Sequence, residues 1–248
     1  MTEVLDHHLD QLRIFRGDDQ RLTDTLSVRQ PRLGEICNYG EQAYFSLVKT
    51  LTATPADRKV EIWDALHVYW DQVDEFELFK FIFPVLERTD CSILIPNVDF
   101  HSFQISVHPQ TKDVVLRNAD GVLIDRTIHL LLTDYLRKIH RMKKNVDVGF
   151  DDYTKEIMIE DDRDEQARMA KKPFPSILQP MISALTNSPE FKYRFDDVWD
   201  LPIGAFLDAA ERIQKLKGYD HVMHGIYSGC VDIKKLNKKE LNWMGELK

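Results

Sequence analysis

Apolar positions along this chain change period twice. Through the first ninety residues they recur at helical spacing, near residue 91 they begin to alternate, and from Arg126 the helical spacing returns. That pattern predicts an α+β protein, mainly helical, with a small antiparallel β-meander in the middle of the chain. Residues 1–90, 91–125 and 126–248 read as three regions of a single domain, because no repeat and no long linker separates them.

In the first region, residues 1–25 are polar and peripheral, and Leu26-Ser-Val-Arg-Gln predicts a short strand. Pro31 suits a first helical position, ahead of Leu33, Ile36, Cys37, Tyr44, Leu47, Val48 and Leu51 at near-helical spacing. Gly34 and Gly40 weaken that helix and mark a close packing contact. Thr54-Pro55 followed by Asp57 writes a capped helix start, with Val60, Trp63 and Leu66 expected on the buried face. Asp74-Glu-Phe-Glu opens a further helix carrying Phe76, Phe79, Phe81, Phe83 and Leu86, which Pro84 should distort or end early.

In the second region, Cys91-Ser-Ile-Leu-Ile-Pro reads as a β-type run. His101-Ser-Phe-Gln-Ile-Ser-Val-His puts Phe103, Ile105 and Val107 on one face. Pro109-Gln-Thr-Lys and Asn118-Ala-Asp-Gly are turns between this strand, Val114-Val-Leu-Arg and Val122-Leu-Ile-Asp. The single apolar face implies a sheet packed against helices from both flanks.

The third region opens with the strongest periodicity, Ile128, Leu131, Leu132, Tyr135, Leu136, Ile139 and Met142, with basic residues crowding its C-terminal end at 137–144. A charged helix over 151–172 follows, broken by Pro173 and Pro175, then a short apolar helix with Ile177, Leu178, Met181, Ile182 and Leu185. A last pair is expected at 203–217, capped by Gly218, and at 219–227. A final short helix runs over 238–247.

Composition narrows the function. Hydrophobic residues make up 43 % and charged residues 30 %, an ordinary globular balance. A net charge of −8 makes nucleic acid an unlikely general partner, since phosphate binding needs cationic surface. The polar N-terminus and the shortness of Phe81-Ile-Phe-Pro-Val-Leu argue against a leader or a membrane span, so a soluble cytosolic product is expected. Cys37, Cys91 and Cys230 form no paired motif and read as buried free thiols in a reducing compartment.

Little in the chain looks like catalytic chemistry. Phosphate-loop, dinucleotide, nucleophile-elbow and HExxH patterns are all missing. Gly225-Ile-Tyr-Ser-Gly has the wrong spacing for an elbow and reads as a tight turn. Glu160-Asp-Asp-Arg-Asp-Glu is the densest acidic cluster, but a contiguous run on one helix reads as a solvated face rather than a metal site. His221 and His224 share a helix face with only Cys230 as a possible third zinc ligand, and their neighbours Tyr219, Val222, Met223 and Tyr227 read as a packing surface. The basic residues 137–144 lack interleaved aromatics and are balanced by the acidic helix after them, so an intramolecular role is expected. No catalytic, cofactor-binding or metal-ligating residue is therefore assigned, and the reading is non-enzymatic. The alternative is a metal-dependent nucleic-acid-processing enzyme using the acidic residues of 151–165.

What stands out instead is the aromatic C-terminal segment. Trp199, Phe206, Tyr227 and Trp243 are candidate interface residues, because large aromatics dominate contact energies. Trp243, close to the terminus, is expected to dock onto its own domain.

Three groups of residues carry a resemblance. They are Val28-Arg-Gln-Pro-Arg-Leu-Gly-Glu-Ile with Tyr39-Gly-Glu; Phe191-Lys-Tyr with 203–217; and Gly225-Ile-Tyr-Ser-Gly with Asp232-Ile-Lys-Lys and Lys238-Lys-Glu-Leu-Asn-Trp-Met. In this order and spread they resemble tail-module proteins of phages infecting Gram-positive bacteria, of the tail assembly chaperone or baseplate assembly type. The resemblance implies no catalytic residue and no cofactor. It implies a protein in the cytoplasm of the infected bacterium, or carried into the virion tail. Its partners would be other tail or baseplate proteins, or further copies of itself in a homo-oligomer.

Overall fold

The computed structural model describes residues 10–96, 98–108, 112–232, 236 and 241–247. The histidines His7 and His8, the turn residues 109–111, residues 233–235, and 238–240 of the expected last helix lie outside them.

The short helix α1 (Gln11–Arg16) is capped by Asp10 and leads into a two-stranded ribbon, β1 (Gln20–Arg21) and β2 (Ser27–Val28). Pro31 does not open the next helix, because its carbonyl accepts the Ile203 N–H at 3.0 Å. Helix α2 (Leu33–Tyr39) begins two residues later, where Glu35 accepts the Arg32 N–H at 2.7 Å. Gly40, with φ +99°, then separates α2 from α3 (Glu41–Leu51). Gly34 does mark a close contact, since a Cβ there would stand 3.2 Å from the Trp199 carbonyl oxygen.

Thr54 and Asp57 cap each other at the 3-10 turn Pro55–Arg58, which runs into α4 (Lys59–Leu66). Here Val60 is buried as expected, together with Ile62, whereas Leu66 is exposed and Trp63 half-buried. Helix α5 (Glu75–Leu86) starts at the Asp74 cap and runs through Pro84. Sitting in the last turn, Pro84 removes a single hydrogen bond, too little to end the helix sooner. Phe76, Phe79 and Phe83 of α5 form a ladder with Phe100 and Phe103, each step between 5.5 and 6.4 Å.

The run from Cys91 is not a strand. Leu94 and Ile95 both donate their N–H to the Cys91 carbonyl, closing a helical turn that buries Ile93, Leu94 and Ile95. The meander is β3 (Gln104–Val107), β4 (Val114–Arg117) and β5 (Leu123–Ile124), antiparallel in that order.

Helix α6 (Arg126–Ile139), capped by Asp125, buries the predicted stripe of Ile128, Leu132, Tyr135, Leu136 and Ile139. It stops at Ile139, so Met142 lies beyond it, and two of the basic residues at this end, Arg137 and the C-cap His140, are buried. Helix α7 (Asp152–Met169) is capped by Asp151, and α8 (Leu178–Thr186) buries Leu178, Ile182 and Leu185. Helix α9 (Ile203–Tyr227) is continuous through Gly218 and Gly225, where two helices and a glycine turn are expected; the positive φ comes later, at Gly229. Residues 241–247 are turn-like rather than helical.

The architecture is thus mainly helical α+β with two small antiparallel sheets. One apolar cluster draws on all three regions, from Ile14 to Phe206, including Phe103, Leu116 and Ile124 of the meander. A smaller cluster joins Val60, Ile62, Trp70, Leu78, Ile82 and Ile159. Cys91 lies in the main cluster, where burial pushes its thiol up to about 12, but Cys37 and Cys230 are exposed, against the expectation of buried thiols.

Candidate interaction surface

The register of the meander decides which apolar residues reach the core. Ile105 stands opposite Leu116, and Val107 opposite Val114, so all four share one face. Leu116 also pairs with Ile124 and is fully buried. The other end of the hairpin reaches past the core, leaving Ile105 64 % and Val107 59 % exposed. The alternating pattern is therefore sound, but half of its face is uncovered.

Beneath that overhang lies an open cleft of about 430 Å³, lined by Ile62, Leu66, Val73, Phe81, Ile105 and Val114. Helices α4 and α5 supply its walls, and a Lys80–Glu77 ion pair at 2.6 Å lies on its rim. Contiguous exposed apolar surface with a polar rim is the usual form of a protein contact site. β3 is moreover an edge strand carrying neither proline nor charge, the devices that commonly protect such edges. No single segment of the chain announces this surface, since its residues come from α4, α5 and the hairpin.

The four aromatics singled out in the sequence fare differently. Trp199 is half-buried, its ring edge-on to exposed Phe195 at 5.8 Å. Phe206 is fully buried in the main cluster, so it has no surface to offer a partner; the first turns of α9 are core. Tyr227 is 80 % exposed at the end of α9. Trp243 is half-buried, and the Trp243 and Gly245 carbonyls accept from the Arg212 guanidinium of α9. Phe206→Ala should accordingly cost about 3–5 kcal/mol of stability. Tyr227→Ala should stay within about 0.5 kcal/mol of wild type. Urea titrations of the two variants check this contrast.

The acidic helix is only partly a solvated face. Asp162 pairs with buried Lys59 at 2.6 Å, Arg163 forks onto Asp64 at 2.7 and 2.8 Å, and Lys155 meets Asp71 at 2.6 Å. These pairs fasten α7 across α4 and the turn at Trp70. Among the described residues no group of three or more His, Cys, Asp or Glu is placed to hold a metal ion, and His221 and His224 are exposed on α9. Nor is any helix among them long and apolar enough to cross a membrane.

Some of the most constrained polar groups escape a reading of the sequence. Arg137 donates to the Thr52 carbonyl at 2.8 Å and to Glu75 at 3.1 Å, and Lys144 pairs with the same carboxylate. Burial works to raise the Glu75 carboxyl, but the hydrogen bonds from Lys144 and Arg137 hold it below the usual range. Glu41 accepts the Ile177 and Leu178 N–H groups at 2.6 and 2.7 Å, capping α8 from a distant part of the chain. The basic residues 137–144 are thus used internally in part, as their charge balance suggests.

Fold and surface together describe a mainly helical α+β protein with an exposed apolar face. Residues 171–248 match the family model described as YomV second domain, a phage-derived family, which is consistent with a phage protein. The matched segment begins just after α7 and contains all four of the singled-out aromatics. No curated protein and no solved structure matches the chain.

Proposed function

We propose that this is a non-enzymatic phage tail morphogenesis protein, of the assembly chaperone or baseplate type, acting through protein–protein contacts. The observation that carries the reading is the apolar cleft between the β3–β4 hairpin and helices α4 and α5. Seven of its ten lining residues are apolar, with Gln72, Glu77 and Lys80 the exceptions, which suits docking of another protein's apolar side chains. The phage-derived match over residues 171–248 supports the biological setting.

Affinity-tagged protein recovered from infected cells should bring tail or baseplate subunits with it. Ile105→Lys should abolish that recovery while leaving the melting temperature unchanged, because the wild-type side chain is already 64 % exposed. Undiminished recovery with Ile105→Lys, or recovery of replication enzymes in place of tail subunits, would contradict the proposal.

A further inference from the structure

Away from the cleft, a second apolar surface is held open by its own anchors. Residues 145–149 join α6 to α7 without regular secondary structure, and Phe150 is a bend. Asn145 donates to Asp57 at 2.9 Å, Trp70 Nε1 donates to the Asp147 carbonyl at 2.8 Å, and Gly149 is buried against Lys155. With one side pinned, the alternate residues Val146, Val148 and Phe150 turn outward, at 70, 68 and 97 % exposure. Tyr153 and Ile157 continue the apolar surface one turn apart on α7, at 72 and 42 %. Further along that same helix face stand Asp161 and Asp164, both exposed and neither in an ion pair among the described residues.

The chain also carries a surface of opposite charge. Leu12 and Phe15 of α1, 79 and 57 % exposed, line an open cleft of about 540 Å³ together with Lys138 and Lys143. Within it Arg141 is taken up by Asp208 and Glu211, and Glu246 also lines it, but Lys138 and Lys143 have no ion pair among the described residues and leave basic side chains in excess over acidic ones. One surface is apolar and anionic, the other apolar and cationic, and each copy of the chain has both.

We infer that the occupant of the anionic stripe is a second copy of this chain, presenting its Leu12–Phe15–Lys138–Lys143 face. Contact between unlike faces is heterologous, the kind that builds rings or open arrays when repeated. The apolar residues supply the desolvated centre, and the unpaired lysines and aspartates set orientation at the rim. The pinned backbone keeps the stripe formed before contact, which lowers the ordering cost.

The test uses the isolated full-length protein, so it reads self-association separately from any role in tails. Sedimentation velocity should show concentration-dependent association that weakens between about 0.1 M and 1 M salt, where the screening length shrinks from about 10 Å to about 3 Å. Phe150→Ala should weaken it about tenfold or more. Asp161→Lys with Asp164→Lys, and separately Lys138→Glu with Lys143→Glu, should each give monomers that melt as wild type does. Mixing those two variants should restore association, because each then meets a complementary face. A wild-type protein that stays monomeric at its highest soluble concentration overturns the inference. So do charge-reversed variants that associate normally, or a mixture that stays monomeric.

Discussion

Lowering the pH from 7 to 5 should destabilise the fold by about 4 kcal/mol, through two histidines buried in their neutral form. His140 is enclosed between α6 and α3. Its Nδ1 donates to the Leu136 carbonyl at 2.7 Å, and the buried Tyr44 hydroxyl donates to its Nε2 at 2.5 Å. Burial disfavours the charged ring and lowers its pKa, against the upward pull of the Leu136 hydrogen bond. His129 lies against Phe79, with ring centroids 4.4 Å apart. Burial lowers its pKa; Glu75 and Asp74 pull it back up, and Arg137 and Arg126 push it further down. Both imidazoles are held at about 4, below their ordinary value of 6.5. Between those values the unfolded chain binds more protons than the fold does. The stabilisation is therefore complete above about pH 6.5 and is lost as the pH falls toward 4. Each histidine then contributes a loss of about 2 kcal/mol by pH 5. Thermal melts across that range check the slope, and a midpoint that does not move down to pH 5 would contradict this account of the two sites.

Glu75→Ala should cost about 3 kcal/mol at neutral pH. The substitution removes the only carboxylate within 3.5 Å of the Arg137 guanidinium among the described residues, while Arg137 stays 8 % exposed between α5, α6 and the end of α3. Breaking a buried pair from one side leaves an uncompensated charge, and that residue of charge rather than the lost contact dominates the penalty. The figure is at the lower end of the usual range because Glu75 keeps some solvent contact and its second partner, Lys144, is half-exposed. Replacing Arg137 as well, by methionine, should recover most of the loss, since no buried charge then remains. Urea denaturation of the two single variants and the double variant measures the coupling. Additive losses in that cycle would mean that the two side chains act independently.

These two sites also mark where the sequence stops being informative. The charge balance around 137–144 predicts an intramolecular role for the basic run but not which of its residues are buried, and Lys138 and Lys143 stay exposed. Arg137 and His140 differ only because Glu75, Thr52 and Tyr44, all distant in sequence, converge on them. Local signals fared better. Asp74 and the Thr54–Asp57 pair cap helix or 3-10 starts where the spacing places them, and the α6 stripe is buried as its periodicity predicts. The run at Cys91 shows the opposite limit. An apolar hexapeptide with no period suits a buried strand and a buried turn equally, and only its neighbours decide.

The contact surface was legible in part for the same reason. Alternation puts Phe103, Ile105 and Val107 on one face, but it does not say how far the supporting helices extend beneath it. Phe103 meets Phe83 of α5, while Ile105 lines the cleft and Val107 is exposed. Likewise, aromatic density in the last sixty residues flagged the phage-matched segment without separating Phe206, which is core, from Tyr227, which is exposed.

The central claim, assembly through protein contacts rather than catalysis on nucleic acid, is tested most directly by removing the protein from the phage. Lysates of a phage carrying a null allele should be compared with wild type by negative-stain electron microscopy and by measuring intracellular phage DNA. The expected result is normal DNA accumulation and DNA-filled heads, with tails absent or incomplete, restored by the wild-type protein supplied in trans. Complete tails on normal particles, or a collapse of phage DNA synthesis ahead of assembly, would contradict it.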